Sequence, residues 1–323
     1  MQPSFDLTAT ISRLFVYPVK SCAGVQVQEA LLTDTGLELD RAWMVTDSRG
    51  EFVTQRELPR MALIKPQLKQ YEMVLRAPGM LALHVAIDAV EQPCRATVWG
   101  HECAAYDMGD VAAQWFTDFL SDSASAGDGT TASRSLGALR LVRFDPDHKR
   151  PSSKQWTKEV EALNQFSDGY PVLVASEASL HELNAKLQTA GHAPVTMERF
   201  RPNLVLAGVE AHDEDRVDVL HISTGIQNGA QHGAQGGADS TVELTVEPAV
   251  KLALVKPCPR CPIPNVNPET AMSSPEVGDM LQTYRQDARV GGAVAFGMNA
   301  ITLNGVGQIL RVGQMVQTNY AFD

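Results

Sequence analysis

Short runs rich in branched and aromatic residues recur through the first half of the chain, at residues 11–19, 39–45, 96–99 and 139–144, with Val53 between them and turn residues separating them. Runs of this length and composition predict strands, so the first half is expected to be mostly β. Helical spacing appears twice. After Asp110 the apolar residues Val111, Trp115 and Phe119 recur every four positions, which predicts a helix with all three facing the core. Ser176 stands where an N-cap belongs, ahead of Leu180, Leu183 and Leu187 on one face of a second helix. Near the C-terminus, residues 300–303 and 308–313 have the pattern of strands that close a β-barrel. Two stretches low in apolar content, 121–135 and 225–240, are expected to be surface insertions, and His232 in the second has no neighbour in sequence that would give it a role.

The first insertion offers a natural boundary. It divides the chain into an N-terminal β-rich domain, residues 1–136, and a second domain, residues 137–323, built on a β-barrel with peripheral helices. The fold class is therefore α+β and mostly β. A chain of 323 residues with 44% apolar and 20% charged residues can fill such cores without disulfides. The formal net charge of −11 argues against a nucleic-acid partner, because phosphate backbones are held by clustered Lys and Arg. There is no P-loop, no GxGxxG after a strand and no internal repeat. Five cysteines, an odd number with no secretory signal beside them, fit a reducing compartment. No apolar run approaches the roughly 20 residues that span a bilayer, so a cytoplasmic protein without a membrane anchor is expected.

The densest chemistry lies in Val255-Lys256-Pro257-Cys258-Pro259-Arg260-Cys261-Pro262. Prolines fix φ and lack an N–H, so this segment is expected to be a stiff loop, neither helix interior nor central strand, that holds two thiols ready for a metal cofactor. Spacing alone leaves the ligand open. Two thiols two residues apart also serve zinc knuckles and redox disulfides, and a plain structural turn is a further reading. Zinc would have to recruit Cys94, His101 or Cys103, and the prolines after Cys261 are ill suited to the helix that usually follows a redox pair.

Four motifs in order narrow the choice: Tyr17-Pro18-Val19-Lys20-Ser21-Cys22-Ala23-Gly24, Leu39-Asp40-Arg41-Ala42-Trp43, Phe200-Arg201-Pro202-Asn203-Leu204 and Cys258-Pro259-Arg260-Cys261. Together they resemble the MOSC proteins, in the branch that includes the mitochondrial amidoxime-reducing components and their bacterial relatives. The resemblance runs over nearly the whole length. It implies a molybdenum–molybdopterin cofactor (Mo cofactor) with Cys261 as the thiolate ligand of the metal and the catalytic centre, flanked by Pro259 and Arg260. By the same resemblance Lys20, Ser21, Arg41, Arg201 and Asn203 cradle the cofactor phosphate and pterin. A soft thiolate suits a sulfur-rich metal centre, and arginine forks suit phosphates and flat heterocycles. The turn Phe166-Ser167-Asp168-Gly169-Tyr170-Pro171 resembles the family's cofactor-contacting turn, with Gly169 and Tyr170 where relatives often carry small hydroxyl residues. Thr54-Gln55-Arg56 is a candidate for the rim. After the ligand the chain departs from the family's commoner Thr-Thr-Val-Asp-Pro with Pro264-Asn265-Val266-Asn267-Pro268, which bears on substrate range.

The resemblance implies two-electron reduction of small N-hydroxylated substrates such as amidoximes and hydroxylamines. The chain has no four-Cys ferredoxin spacing and no CxxCH, so an external electron-transfer protein, a ferredoxin or a cytochrome-type carrier with its reductase, is expected. The alternative is a module that carries molybdenum cofactor or sulfur without reducing N-oxides.

Overall fold

The computed structural model describes residues 4–89, 92–121, 137–226 and 250–322. The expected insertions lie, for the most part, outside these residues, His232 included. The architecture is mostly β with few helices. Seven strands close into a barrel in the order Val172–Ser176, Leu204–Ala207, Leu7–Val16, Gln314–Thr318, Val219–Ile226, Val250–Pro259 and Ala293–Asn304, the last pairing back onto the first. Alternation along these strands sets the barrel interior. In Gln314–Thr318 every second residue is buried, and Ile11, Leu14, Leu206, Leu220, Ile222, Leu252, Met298 and Val316 fill one core. The closing seam needs a glycine. Gly297 has φ of 75°, and a Cβ there would sit 2.6 Å from the Val174 carbonyl oxygen.

A second core belongs to the first half of the chain. The sheet of Trp43–Thr46, Arg140–Phe144, His101–Asp107 and Gln92–Val98 packs with the helix Gly109–Ser121, and Trp43, Met61, Met73, Phe116 and Phe119 are buried there. The helix was expected to bury Val111, but that residue is 78% exposed. Ala112, Trp115, Phe116 and Phe119 make the inward stripe instead, because the i, i+3, i+4, i+7 face is one residue out of step with a strict four-residue repeat. Strand pairing crosses position 136 in both directions. Leu7–Val16 belongs to the barrel, while Arg140–Phe144 pairs within the first-half sheet.

Outside the barrel, the helix Glu177–Thr189 lays Leu180, Leu183 and Leu187 into a third core with Phe200 and Phe296. Its cap is the expected one, since the Ser176 side chain accepts from the Ser179 N–H. The terminal strands differ from expectation. Ala293–Asn304 is a barrel strand, but Ile309–Arg311 pairs with Glu29–Thr33 in a small separate sheet, and Gln314–Thr318 takes the barrel position.

The proline-rich thiol segment is also not a loop throughout. Val250–Pro259 is one continuous strand that carries Pro257 and Cys258. It tolerates prolines because its pairing with Val219–Ile226 stops at Ala253, leaving a free edge, and because the pairing with Ala293–Asn304 shifts register three times. Arg260, Cys261 and Pro262 alone of that segment lie beyond the strand end.

Candidate active site

A cleft open to solvent is lined by Lys20, Ser21, Arg41, Gly169, Tyr170, Arg201, Asn203, Pro259, Arg260 and Cys261 together. These are all ten residues marked by the motifs, and Thr54 and Arg56 line it too. Each half of the chain supplies part of the wall. The cleft runs beside the seam where Val172–Ser176 meets Leu204–Ala207 and Ala293–Asn304, so that the paired residues Leu173 and Asn299 also face it.

Short-range backbone bonds place the first-half residues. The Lys20 N–H donates to Trp43 O at 2.8 Å and the Arg41 N–H to Tyr17 O at 2.8 Å, tying the two motifs side by side. Ser21, Arg41 and Arg201 all sit in the left-handed region, with φ of 68°, 51° and 58°. Non-glycine residues avoid that region, and three of them on one cleft mark a conformation held by its surroundings. The ring of Tyr17, fully buried, lies under two guanidiniums, with Arg41 at 4.4 Å and Arg201 at 4.3 Å from its centroid. That aromatic face, with Asp40 accepting from Arg41, allows two positive groups to stay close.

The charge pattern inside the cleft opposes that of the chain. Lys20, Arg41, Arg56, Arg201 and Arg260 line it against the single carboxylate Asp168. Lys20 is neutralised locally, its ammonium bonded to Asp168 and to the Phe166 carbonyl at 2.8 Å. Burial pushes the Lys20 ammonium down, and Asp168 opposes the shift. At Asp168 the crowded setting pushes the carboxyl up, but the Lys20 charge, hydrogen bonds from Lys20 and Trp99, and the Arg56 charge more than reverse it and hold it well below the usual range. Arg201 and Arg260 form no ion pair among the described residues. Burial, then the Arg41 charge, brings the Arg201 guanidinium down to about 10, so it remains charged at neutral pH.

Two buried donors on residues that line the cleft have no partner among the described residues. Arg201 uses Nη1 on Cys22 O at 2.6 Å, while its Nη2 is buried without a partner. Arg260 gives Nη1 to Cys258 Sγ at 3.1 Å and Nη2 to Phe200 O at 2.9 Å, leaving a buried Nε unpaired. Buried N–H groups without acceptors are costly, which sets these two apart from the satisfied donors of the same walls. Asn203 differs. It is 1% exposed, and its side chain bonds the Phe15 carbonyl, the Leu173 N–H and Arg41, so it braces the wall. Asn265, in the segment that departs from the family pattern, accepts from the Gly278 N–H at 2.9 Å and is likewise occupied.

The thiols separate into two groups. Burial pushes the Cys22 thiol up to about 12, with Arg201 opposing, and burial also raises Cys94 and Cys103, so none of the three favours a thiolate. Cys258 and Cys261 are free, partly exposed and in the cleft. Among the described residues, no three His, Cys, Asp or Glu side chains converge as a zinc site would require.

Residues 8–123 match the MOSC N-terminal beta barrel domain and residues 162–317 the MOSC domain. The mitochondrial amidoxime reducing component 2 of Rattus norvegicus is 32% identical over 287 residues, covering 85% of this chain and 72% of that protein. The chain belongs to the MOSC family, in the amidoxime-reducing-component branch. The mitochondrial amidoxime-reducing component 1 of Homo sapiens is 32% identical over 287 residues, covering 86% of this chain and 72% of that protein. No helix among the described residues of this MOSC protein is long and apolar enough to cross a membrane.

Asp168 in the site, and Trp99 beside it, carried weaker sequence signals. Asp168 lies inside the quoted turn motif, but only the structure reveals its grip on Lys20. Trp99 sits at a hairpin tip and bonds Asp168, whereas its sequence context placed it at the end of the strand run 96–99.

Proposed function

We propose that the protein is a molybdenum-cofactor-dependent reductase of N-hydroxylated compounds, with Cys261 as the thiolate ligand of the metal. The observation that carries this reading is the convergence of an accessible thiol with two buried, unpaired guanidinium donors in one cleft. A soft sulfur ligand beside donors lacking acceptors fits a metal held by an anionic, acceptor-rich organic chelate. The bound cofactor supplies two-electron oxygen removal, in which an N–OH group takes two electrons and two protons and leaves as N–H and water.

The protein's own residues then have separate tasks. Arg201 and Arg260 present their free N–H groups to phosphate or pterin acceptors, and Ser21 and Arg41 add donors beside them. Gly169 leaves open space where a side chain would stand, so its backbone is accessible to the guest. Asn203 holds Arg41 and the wall in place. Asp168, kept ionised by Lys20, accepts hydrogen bonds and does not serve as a proton donor. Protons enter from solvent at the open mouth. Electrons come from a ferredoxin or cytochrome-type carrier with its reductase.

The test uses protein made in a host that synthesises the cofactor, supplied with reduced viologen and benzamidoxime. Consumption of benzamidoxime with formation of benzamidine is expected. Full cofactor loading without consumption would instead identify a carrier module.

A further inference from the structure

Trp99 stands in a backbone conformation that bulky residues avoid. It and Gly100 have φ of 53° and 75°, and they link the paired residues Val98 and His101 as a two-residue hairpin turn with both central residues left-handed. Turns of this type favour Asn or Gly at the first position, where this chain carries a large indole. The indole is 46% exposed, so burial does not explain its retention. It is nonetheless fixed on three sides. Its Nε1–H donates to Asp168 Oδ1 at 3.0 Å, its ring meets Phe52 at 5.0 Å, and the Arg56 guanidinium lies 4.6 Å from its centroid. Asp168 and Arg56 both line the cleft, and Trp99, outside that lining, contacts both of them from the hairpin tip.

Arg56 is the cation left over at this wall. Its Nε bonds Thr54 Oγ1 at 3.2 Å, it forms no ion pair among the described residues, and it is not one of the motif residues that face the cofactor. The nearby carboxylate of Asp168 is already engaged by Lys20 and Trp99. A planar ring with a guanidinium on its face offers one surface for stacking and a spare donor fork for an acceptor or anion.

From this arrangement we infer that Trp99 and Arg56 are specificity-determining residues, and that they select planar aromatic N-hydroxylated substrates bearing an anionic substituent. The inference rests on the reductase reading and adds the substrate class.

The experiment compares benzamidoxime, its 4-carboxylate, its 4-trimethylammonium derivative and acetamidoxime on the cofactor-loaded full chain. Steady-state constants with reduced viologen are measured alongside tryptophan fluorescence quenching by each compound. The carboxylate should show the lowest KM. Arg56→Gln should raise that KM about tenfold, the size of one lost charge-assisted bond, with little change in kcat or in the KM for plain benzamidoxime. Trp99→Leu should raise KM for the three aromatic compounds and leave acetamidoxime unchanged, and should abolish most of the quenching. A stack that only braces the fold would shift all four KM values together, and that result overturns the inference, as does an Arg56→Gln variant that keeps the wild-type preference for carboxylate over ammonium. Charge-selective quenching without turnover of any compound would sink the reductase reading and keep the selectivity. Absence of both quenching and turnover would overturn both.

Discussion

Replacing Arg201 with Lys keeps a positive charge in the cleft and removes the planar fork. In the cofactor-free protein two losses and gains nearly cancel. The bond from Nη1 to Cys22 O goes, a net contribution of about 1.5 kcal/mol for a charged donor, while the buried unpaired Nη2 disappears and relieves about 1 kcal/mol or more. A lysine ammonium still finds the Tyr17 ring face that the guanidinium occupies at 4.3 Å. Urea unfolding of apo protein should therefore differ from wild type by less than about 1 kcal/mol. Cofactor retention should behave differently, because the free Nη2–H is the group proposed to meet an acceptor. Losing one charge-assisted bond of about 1.5–3 kcal/mol corresponds to roughly 10- to 150-fold weaker binding. Pterin and molybdenum per chain, measured through serial dilution and gel filtration, read this directly. Arg201→Lys protein that holds cofactor as wild type does, or whose apo form is destabilised by more than about 2 kcal/mol, would refute the assignment and make Arg201 a structural residue.

Two further outcomes test the fold around the site. Burial first, then the Asp215 charge, raises the Glu214 carboxyl to about 7 against hydrogen bonds from Ser179 and Ser176, so the folded state binds a proton that the unfolded chain releases near pH 4.3. Its contribution is complete below about pH 4 and lost progressively as pH rises from there through 7; Glu214→Gln should therefore exceed wild type by only about 1 kcal/mol at pH 5 and by roughly 3 kcal/mol at pH 8 in urea unfolding. Equal stabilities at both pH values would contradict the burial argument. Gly297→Ala places a methyl group 2.6 Å from Val174 O at a φ of 75°, and should cost at least about 2 kcal/mol and lower the thermal midpoint; an unchanged midpoint would mean the barrel seam is not tight there.

Legibility in the sequence followed how local each cause was. The Ser176 cap and the Leu180, Leu183 and Leu187 stripe act within one helix, and their spacing gave them away. Val111 misled because a four-residue repeat drifts against 3.6 residues per turn, so the first of three apolar positions faces solvent. Pro257 and Pro259 argued against a strand, but they lie where the neighbouring strand has ended, a tertiary fact with no local mark. Residues from four distant motifs share one cleft, and their order along the chain was the signal for it. That Asn203 is already saturated while Arg201 and Arg260 keep unpaired donors depends on partners 30 or more residues away in sequence. Lys20 and Asp168, 148 residues apart, show the same limit.

The central claim is that the Cys261 sulfur holds molybdenum in this cleft. It is tested by elemental and pterin analysis of wild-type protein and Cys261→Ala, both made in a host that synthesises the cofactor, with a melting curve for each. Stoichiometric molybdenum and pterin in the wild type, and a Cys261→Ala protein that melts like the apo form yet lacks the metal, are the expected results. Zinc in place of molybdenum, or a Cys261→Ala chain that fails to fold, would contradict the account.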